Sequence, residues 1–319
     1  MQRFHHVMYK NVKAVAMESD QNRVYLVHKA VLAAVFICNN LMRGEFPIKL
    51  SQQQVEFFNT FGFLKLTGMF KDDIDDITEA FERVLQAYQE KSTIHDGSKR
   101  TMVGGCVDSS ARLSALLDDP RILGACSSLL GDDFIYWGSD GNYYSGDTGW
   151  HPDGQEENHL HIKVAFYLDP LDGTNGALRV IPGSHRMGEQ YAKDIKRTVM
   201  NSEQYLGIHG SEVPAQVLDV IPGDVLIFDH RTFHSAWNGS TLRRMFTMNL
   251  CRQYPEDKLD ELRSMIVNHV SSHITEYYGI QMRETADSER MKHLVTMLGL
   301  MDWDKQTKHL KEKIYISVD

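Results

Sequence analysis

The feature that most constrains this chain is a series of short β-rich segments with no helical periodicity between them. Valine, isoleucine and aromatic residues are frequent in each segment, and glycine, proline, asparagine or aspartate separates one from the next. The segments cover residues 134–137, 161–168, 177–181, 216–220, 225–228 and 245–250. Because parallel strands require long and usually helical crossovers, this pattern predicts an antiparallel sandwich or barrel and argues against a Rossmann sheet.

Helical patterns precede most of these strands and cover residues 52–58, 71–90 and 111–130. Ser51 stands at the N-cap position of the first helix, and Gly62 is expected to end it before a short strand at 63–66. The second helix repeats apolar residues at three- and four-residue steps, at Ile74, Ile77, Phe81, Val84, Leu85 and Tyr88. Helices first and strands afterwards predict an α+β chain, mainly β, with a barrel core and flanking helices.

Three zones divide the chain. Residues 1–48 are predicted to form an N-terminal extension with one helix at 24–41, and residues 49–255 contain the strand pattern and the candidate site residues. Residues 256–319 are charge-rich with helical spacing, and we expect this C-terminal extension to pack on the barrel. A lid or a dimer interface is the alternative use of the same helical face, and the chain is expected to be a monomer or a homodimer.

Composition and charge argue against several classes of function. The formal net charge of −9 and the lack of a basic run argue against nucleic-acid partners, which require a positive surface. The four cysteines include no CxxC pair and the N-terminal segment does not resemble a signal peptide, so a reducing, cytoplasmic location is expected. The apolar stretch at 24–38 is interrupted by charge and is shorter than the roughly 20 residues of a membrane span, so no membrane association is expected.

The strongest local signal is the segment "GWHPDG" at residues 149–154. His151 and Asp153 are two residues apart, so at the end of a strand both side chains can point to the same face. A neutral imidazole and a carboxylate, joined by a second histidine, make the facial triad of non-haem Fe(II) oxygenases. The opposite face of such a metal stays open, as a bidentate 2-oxo acid and O₂ require. The triplet alone is weak evidence, because it is common in surface loops.

A further histidine follows a buried strand later in the chain. The Pro-Gly-Asp turn at 222–224 leads into the apolar segment 225–228, and His234 comes shortly after that segment. The long separation from His151 suits two ligands on different strands of one barrel. His230 is a competing ligand, although only one of the two histidines is needed. We prefer His230 as a turn residue or as a hydrogen-bonding neighbour of the ligands.

Two adjacent arginines, Arg243 and Arg244, begin the last strand of this zone. A planar guanidinium matches the geometry of a carboxylate, so an arginine is the natural partner for the distal carboxylate of a metal-bound 2-oxo diacid. Neighbouring residues of a strand point to opposite faces, and only one of the two can therefore face a pocket. Taken alone, this pair of arginines is better explained as two charged residues at a strand edge that face solvent.

These pieces occur in an order typical of one enzyme family. From about residue 50 to residue 254 the chain resembles the phytanoyl-CoA dioxygenase family of Fe(II)/2-oxoglutarate-dependent oxygenases. The resemblance is carried by "LSQQQVEFFNTFGFLKLTGMF", "WHPDG", "NGALRVIPGSHR" and "PGDVLIFDHRTFHSAWNGSTLRRMFTMNL". It implies a double-stranded β-helix, also called a jelly roll or cupin-like barrel, that binds iron at its open end. The ordered combination is specific, although each piece alone is not.

The resemblance also implies roles for individual residues. His151, Asp153 and His234 fall on the positions of the three metal ligands. Arg243 falls on the position of the arginine that binds 2-oxoglutarate, and Arg244 takes that role if the strand register shifts by one residue. No catalytic residue beyond the metal ligands is predicted.

Four other polar residues lie near the metal segment in sequence. Asn142 and Tyr144, on the strand before it, correspond to family positions that face 2-oxoglutarate or substrate. His159 and His161 follow it, and although they could enter the pocket we assign them no metal.

The predicted activity is oxidation of a small organic metabolite by Fe(II), 2-oxoglutarate and O₂. Succinate and CO₂ are the expected coproducts, and ascorbate is an optional reductant. Because the sequence keeps Asp153, where related halogenases lack the carboxylate and admit chloride, hydroxylation or another oxidation such as desaturation is favoured over halogenation. Three alternatives stay open. They are a different metal enzyme, such as a zinc hydrolase, on a cupin-like fold, a non-catalytic small-molecule-binding protein on the same barrel, and a structural or interaction protein that docks through its C-terminal segment.

Overall fold

The computed structural model describes residues 49–92, 94–154, 159–239, 243–269 and 277–300. The predicted N-terminal extension and its helix at 24–41 lie outside the described residues and stay predictions, as does the domain boundary at 255. In the described part of the chain, no helix is both long enough and apolar enough to cross a membrane.

The first part of the described chain is mostly helical. Its helices are α1 (Gln52–Phe61), α2 (Ile74–Lys91), α3 (Ala111–Ser114) and α4 (Pro120–Leu130), with 3-10 turns at Val107–Ser109 and Ala115–Leu117. A capping box begins α1, in which Ser51 Oγ accepts from Gln54 N at 3.3 Å and Gln54 Oε1 accepts from Ser51 N at 2.8 Å. The helix ends at Gly62, whose φ of 85° is left-handed and unstrained for glycine. The three predicted helices are confirmed, and the third is divided before Pro120 as expected.

The described strands form two antiparallel sheets. The strands are β1 (Phe63–Leu66), β2 (Thr101–Gly104), β3 (Ile135–Tyr144), β4 (Thr148–His151), β5 (His161–Tyr167), β6 (Leu178–Val180), β7 (Gln216–Leu218), β8 (Val225–Asp229), β9 (His234–Ala236) and β10 (Arg243–Cys251). The larger sheet has the order β1-β8-β5-β10-β3-β2, and the smaller sheet has the order β4-β9-β6-β7. This is the predicted jelly roll, a mainly β core with flanking helices.

Some of the sheet structure has no counterpart in the sequence pattern. β2 and β9 are absent from the predicted strands, and β3 runs through Gly138 and Gly141, where local composition does not favour a strand. β3 keeps an extended course because it pairs with β10 along nearly its whole length and with β2 on its other side. Pairing partners thus override a weak local preference.

The two faces of the larger sheet differ. On the outer face, Phe166 of β5 stacks on Phe246 of β10 at a ring-centroid distance of 4.7 Å, and Phe81 of α2 stacks on Phe246 at 6.1 Å. These three rings are almost completely buried. The apolar face predicted for α2 supplies this layer. The inner face, which carries the alternate residues of the same strands, combines charged and polar residues with apolar ones and lines the barrel cavity.

The Pro-Gly-Asp turn has a structural role. Asp224 accepts hydrogen bonds from Gly68 N at 2.7 Å and from Ile221 N at 3.2 Å, and it pairs with Lys65 of β1 at 3.1 Å. These contacts fix the start of β8 against β1.

Helices also fill the connections after β6 and after β10. They are α5 (Gln190–Val199), α6 (Ser202–Leu206), α7 (Leu259–His269), α8 (Ile280–Glu284) and α9 (Ser288–Leu300), with 3-10 turns at Gly210–Glu212 and Glu256–Lys258. Contacts with Asp118 and Phe134 hold α9. Arg290 Nε donates to Asp118 Oδ1 at 2.9 Å, and His293 Nδ1 donates to Phe134 O at 2.7 Å. The imidazole of His293 also stacks on the ring of Phe134 at 3.8 Å.

Candidate metal centre

Two strands of the smaller sheet bring the predicted histidine ligands together. β4 and β9 pair antiparallel with His151 directly opposite His234, and the two imidazole rings lie 4.3 Å apart. Asp153 follows β4 by two residues. One ligand atom from each of the three side chains lies within 4.8 Å of the other two. The pairing register of β4 and β9 therefore brings together two segments that are far apart in the sequence.

The Asp153 carboxylate lies beside both imidazoles. His151 Nε2 is 3.9 Å from Asp153 Oδ1, and His234 Nε2 is 3.6 Å from Asp153 Oδ2. The backbone holds this residue in place, because the N–H groups of Asp153 and Gly154 donate to the carbonyl of His230 at 2.7 and 2.9 Å. Two imidazoles and one carboxylate around one point form the donor set of a facial triad.

Hydrogen bonds fix the tautomer of both histidines. His151 Nδ1 lies 2.8 Å from Gly149 O, and His234 Nδ1 lies 2.9 Å from Thr232 O. A carbonyl oxygen only accepts, so each Nδ1 carries the proton and each Nε2 offers a lone pair on the side of Asp153. Burial lowers the pKa of His234 to about 4, which keeps this imidazole neutral near pH 7. The residues therefore fit a divalent metal ion, which requires neutral imidazole ligands.

The group of three does not include the side chain of His230. Its Nε2 is buried and has no hydrogen-bond partner among the described residues, and burial lowers the pKa of this imidazole to about 4. Its backbone N–H donates to His161 O at 3.0 Å, while its carbonyl holds the Asp153 turn. The backbone of His230, and not its imidazole, supports the candidate ligands.

Lys163 of β5 neutralises Asp153. Its Nζ lies 2.8 Å from Asp153 Oδ2, and the two side chains are 16% and 20% exposed. Burial opposes ionisation of Asp153, but the positive charge of Lys163, its hydrogen bond to the carboxylate and the neighbouring His234 and His230 together outweigh burial and hold the pKa of the carboxyl well below its usual range. Asp153 is therefore ionised, as a metal ligand must be.

Arg243 shares a cavity with the three candidate ligands. This cavity has a volume of about 160 Å³ and is lined by residues of both sheets. Arg243 is 2% exposed, and its guanidinium donates to Gly176 O at 2.6 Å, where any side chain at residue 176 would collide with it. Its Nε has no hydrogen-bond partner in the described part of the chain. A buried guanidinium with an unused donor fits the distal carboxylate of a 2-oxo diacid.

Arg244 points to the outer face. It pairs with Asp169 at 2.6 Å and with Glu82 at 2.8 Å, away from the cavity. The register that sets Arg243 opposite Tyr144 of β3 places the first of the two arginines on the inner face. Of the two candidates for the 2-oxoglutarate arginine, Arg243 is the one that lines the cavity.

Tyr144 and Asn142 occupy different positions. Tyr144 lines the cavity, and its ring centroid lies 4.7 Å from the guanidinium carbon of Arg243 and 4.5 Å from that of Arg100. Asn142 is fully buried in the wall, where its Oδ1 accepts from Arg100 Nε at 2.6 Å and its amide donates to Asp140. Asn142 thus supports Arg100 and Asp140, which themselves line the cavity.

Several cavity residues were not singled out in the sequence: Arg100, Met102, Asp140, Lys163, Tyr167 and Thr247. The alternation of side chains along β10 predicts that Thr247 faces the cavity, because Thr247 lies on the same face of the strand as Arg243. The others come from strands that are distant in sequence, so their approach depends on register. Lys163 in particular appears in the sequence as one polar residue within an apolar strand.

His159 and His161 belong to a second group, with Cys251, whose ligand atoms lie within 4.8 Å of one another. His159 Nε2 lies 2.7 Å from Arg252 O, and His161 Nε2 lies 2.8 Å from the hydroxyl of Tyr254. Burial raises the pKa of the Cys251 thiol, which is therefore protonated near neutral pH. This group is separate from the Arg243 cavity, and it carries no metal assignment.

Comparison with known proteins identifies relatives of the chain. The family model for phytanoyl-CoA dioxygenase (PhyH) matches residues 58–245. The ectoine dioxygenase of Bordetella bronchiseptica is 24% identical over 221 residues, which cover 60% of this chain and 72% of that protein. The ectoine dioxygenase of Bordetella parapertussis matches to the same extent.

Among solved structures, HygX from Streptomyces hygroscopicus with nickel and 2-oxoglutarate bound has a TM-score of 0.51 at 16% identity. The match covers 65% of this chain and 88% of that one, and it establishes the shared fold. Since the family model spans more than half of the sequence, the chain belongs to the phytanoyl-CoA dioxygenase family and is a 2-oxoglutarate-dependent non-haem iron dioxygenase.

Proposed function

We propose that the protein binds Fe(II) through His151, Asp153 and His234, binds 2-oxoglutarate through Arg243, and oxidises a small organic metabolite, most simply by hydroxylation. One observation carries the proposal. The three candidate ligands and a buried guanidinium with an unused donor face the same cavity. Retention of Asp153 supports hydroxylation or a related oxidation over halogenation, because the third protein ligand occupies the position that a halide would need.

The protein contributes position and charge to this reaction. Iron and 2-oxoglutarate, when bound, supply the oxidising chemistry, in which 2-oxoglutarate is converted to succinate and CO₂. The two histidines present Nε2 because their Nδ1 protons are held by backbone carbonyls. Asp153 presents an ionised carboxylate, and Arg243 orients the cosubstrate through its distal carboxylate.

The size and lining of the cavity support a small, polar substrate. Its volume of about 160 Å³ is well below the roughly 300–1,000 Å³ typical of sites for drug-sized ligands. Arg100 and Asp140 give the wall both signs of charge, and Thr247 adds a hydroxyl. Ectoine, after which two relatives are named, is the first compound to test, followed by amino acids.

The test is succinate formation by the full chain with Fe(II), ascorbate, O₂ and 2-oxoglutarate. We expect slow formation without a substrate and faster formation with the correct one, matched by a product that has gained one oxygen atom. Asp153→Ala is the inactive control, and His230→Ala is the matched variant that keeps activity.

Two results would contradict the proposal. Iron-loaded protein that forms no succinate with any candidate, but is stabilised by a metabolite, would favour the non-catalytic binding protein. Hydrolysis of a substrate with Zn²⁺ and without 2-oxoglutarate would favour the hydrolase.

A further inference from the structure

The central strand β5 carries one lysine, Lys163, on the inner face of the barrel. In the sheet it stands between Asn249 of β10 and Phe228 of β8, and its side chain is 16% exposed. An ammonium group in such a place needs an acidic partner, because burial of an unpaired charge costs several kcal/mol.

That partner is a candidate metal ligand. Lys163 Nζ lies 2.8 Å from Asp153 Oδ2, which is also 3.6 Å from His234 Nε2, while the other oxygen of the carboxylate, Oδ1, lies 3.9 Å from His151 Nε2. Among the described residues, Lys163 is the lysine or arginine that pairs with Asp153. Each carboxylate oxygen therefore lies near a candidate ligand imidazole, and the ammonium competes with a metal for one of the two oxygens.

We propose that Lys163 is a positioning residue, which holds one oxygen of Asp153 so that the carboxylate offers a single oxygen to the metal. The inference rests on the proposed function. A carboxylate can bind a metal through one oxygen or through both. A second oxygen on the metal would take a coordination position that 2-oxoglutarate or O₂ needs. Lys163 thus keeps the exchangeable face open, and its loss affects cosubstrate binding before metal binding.

Lys163→Met retains most of the side-chain volume and removes the donor. Asp153 is then free to turn both oxygens to the metal, and a positive charge beside the metal is lost. We expect metal affinity to be unchanged or higher. The affinity of the metal-loaded protein for 2-oxoglutarate should fall about tenfold or more, which is the lower end of the roughly 10–100-fold losses of activity that follow removal of groups that orient metal ligands. Lys163→Arg, which keeps the charge and N–H donors, should recover most of that affinity.

Lys65 provides a matched control on β1. Its side chain is 17% exposed and pairs with Asp224 at 3.1 Å, outside the cavity. Lys65→Met removes a lysine–aspartate ion pair whose lysine is about as exposed as Lys163. We expect lower stability with unchanged affinity for metal and for 2-oxoglutarate, which separates positioning from the general effect of losing a partly buried ion pair.

The experiment uses the full chain loaded with Co(II), whose visible absorption reports the coordination of the metal. Metal affinity is measured first, the spectrum is recorded, and 2-oxoglutarate is then titrated. A changed Co(II) spectrum before 2-oxoglutarate is added, with metal affinity retained and cosubstrate affinity lowered, supports the proposal for Lys163→Met.

Other outcomes would overturn it. An unchanged Co(II) spectrum with weaker cosubstrate binding would mean that Lys163 contacts 2-oxoglutarate directly. Unchanged cosubstrate binding, or loss of metal from the folded variant, would also reject the role. If Lys163→Met does not fold, Lys163→Gln is judged by the same criteria, because its shorter neutral side chain also breaks the ion pair. Failure of the wild type to bind Co(II) or 2-oxoglutarate would contradict the proposed function itself.

Discussion

The outer and inner faces of the larger sheet carry different chemistry on the same strands. On the outer face Phe166 and Phe246 stack beneath α2 and are completely buried. On the inner face Lys163, Thr247 and Arg243 alternate with those residues and face the cavity. The comparison indicates that packing on the outer face stabilises the barrel, while the inner face carries the charged groups that we propose to bind a metal and a cosubstrate.

The largest expected effect is in the cavity, at the metal ligands. Replacement of His151, Asp153 or His234 by alanine removes one of the three proposed metal ligands, and we expect loss of iron and of turnover in each variant. His230→Ala removes a buried imidazole but keeps the carbonyl that holds the Asp153 turn, so iron is retained. Iron content and succinate formation are measured together. Loss of iron in His230→Ala but not in His234→Ala would move the distal ligand to residue 230.

The outer face is tested by Phe246→Ala. This change removes a fully buried ring that stacks on Phe166, and we expect the free energy of unfolding to fall by about 3–5 kcal/mol. Residue 246 faces away from the cavity, so the folded variant should bind Co(II) and 2-oxoglutarate as the wild type does. Denaturant unfolding gives the first quantity and titration the second. A folded variant with impaired metal binding would show that the two faces are not separable.

Arg243 and Arg244 allow the inner and outer faces to be compared at two neighbouring residues of one strand. Arg243→Ala should weaken 2-oxoglutarate binding by about 2–3 kcal/mol, because it removes a charge-assisted contact in the cavity. Arg244→Ala breaks ion pairs with Asp169 and Glu82 at a side chain that is 28% exposed, and should lower stability by about 1 kcal/mol or less. Calorimetric titration of both variants decides the matter. A larger effect of Arg244→Ala on cosubstrate binding would reverse the inner and outer assignments.

The smallest expected effect is at the edge of the barrel, where His293 of α9 packs on Phe134. Burial lowers the pKa of His293, so the unfolded chain takes up the proton first as the pH falls below about 6.5. This histidine therefore makes the folded protein less stable as the pH falls through that range. His293→Asn should flatten the pH dependence of the unfolding free energy without changing metal binding. An unaltered pH dependence would mean that His293 titrates alike in both states.

Local sequence patterns predicted much of the outer face and several residues of the inner one. The period of α2 predicted its buried side, because a helix repeats every 3.6 residues whatever it packs against. The two-residue spacing of His151 and Asp153 predicted a shared face, and the structure brings them to His234. Alternation also predicted that Arg243 and Arg244 face opposite ways.

The alternation of side chains along β10 did not predict which of the two arginines faces inward, because that depends on the register between β10 and β3. The same limit applies to Lys163, Asp140 and Arg100. They meet in one cavity only after strands from distant parts of the chain are paired. The sequence "HIKVAFY" of β5 would look the same if Lys163 faced solvent at the edge of a sheet. The local sequence therefore does not show that Lys163 faces the cavity.

The central claim is that the inner face holds one metal ion together with its cosubstrate. Its most direct test is a crystal structure of the full chain with Ni(II) and 2-oxoglutarate, in which anomalous scattering locates the metal. We predict one ion in contact with His151 Nε2, His234 Nε2 and a single oxygen of Asp153, with the distal carboxylate of 2-oxoglutarate on Arg243. An ion bound instead at the second group around Cys251, or 2-oxoglutarate bound away from Arg243, would contradict the claim.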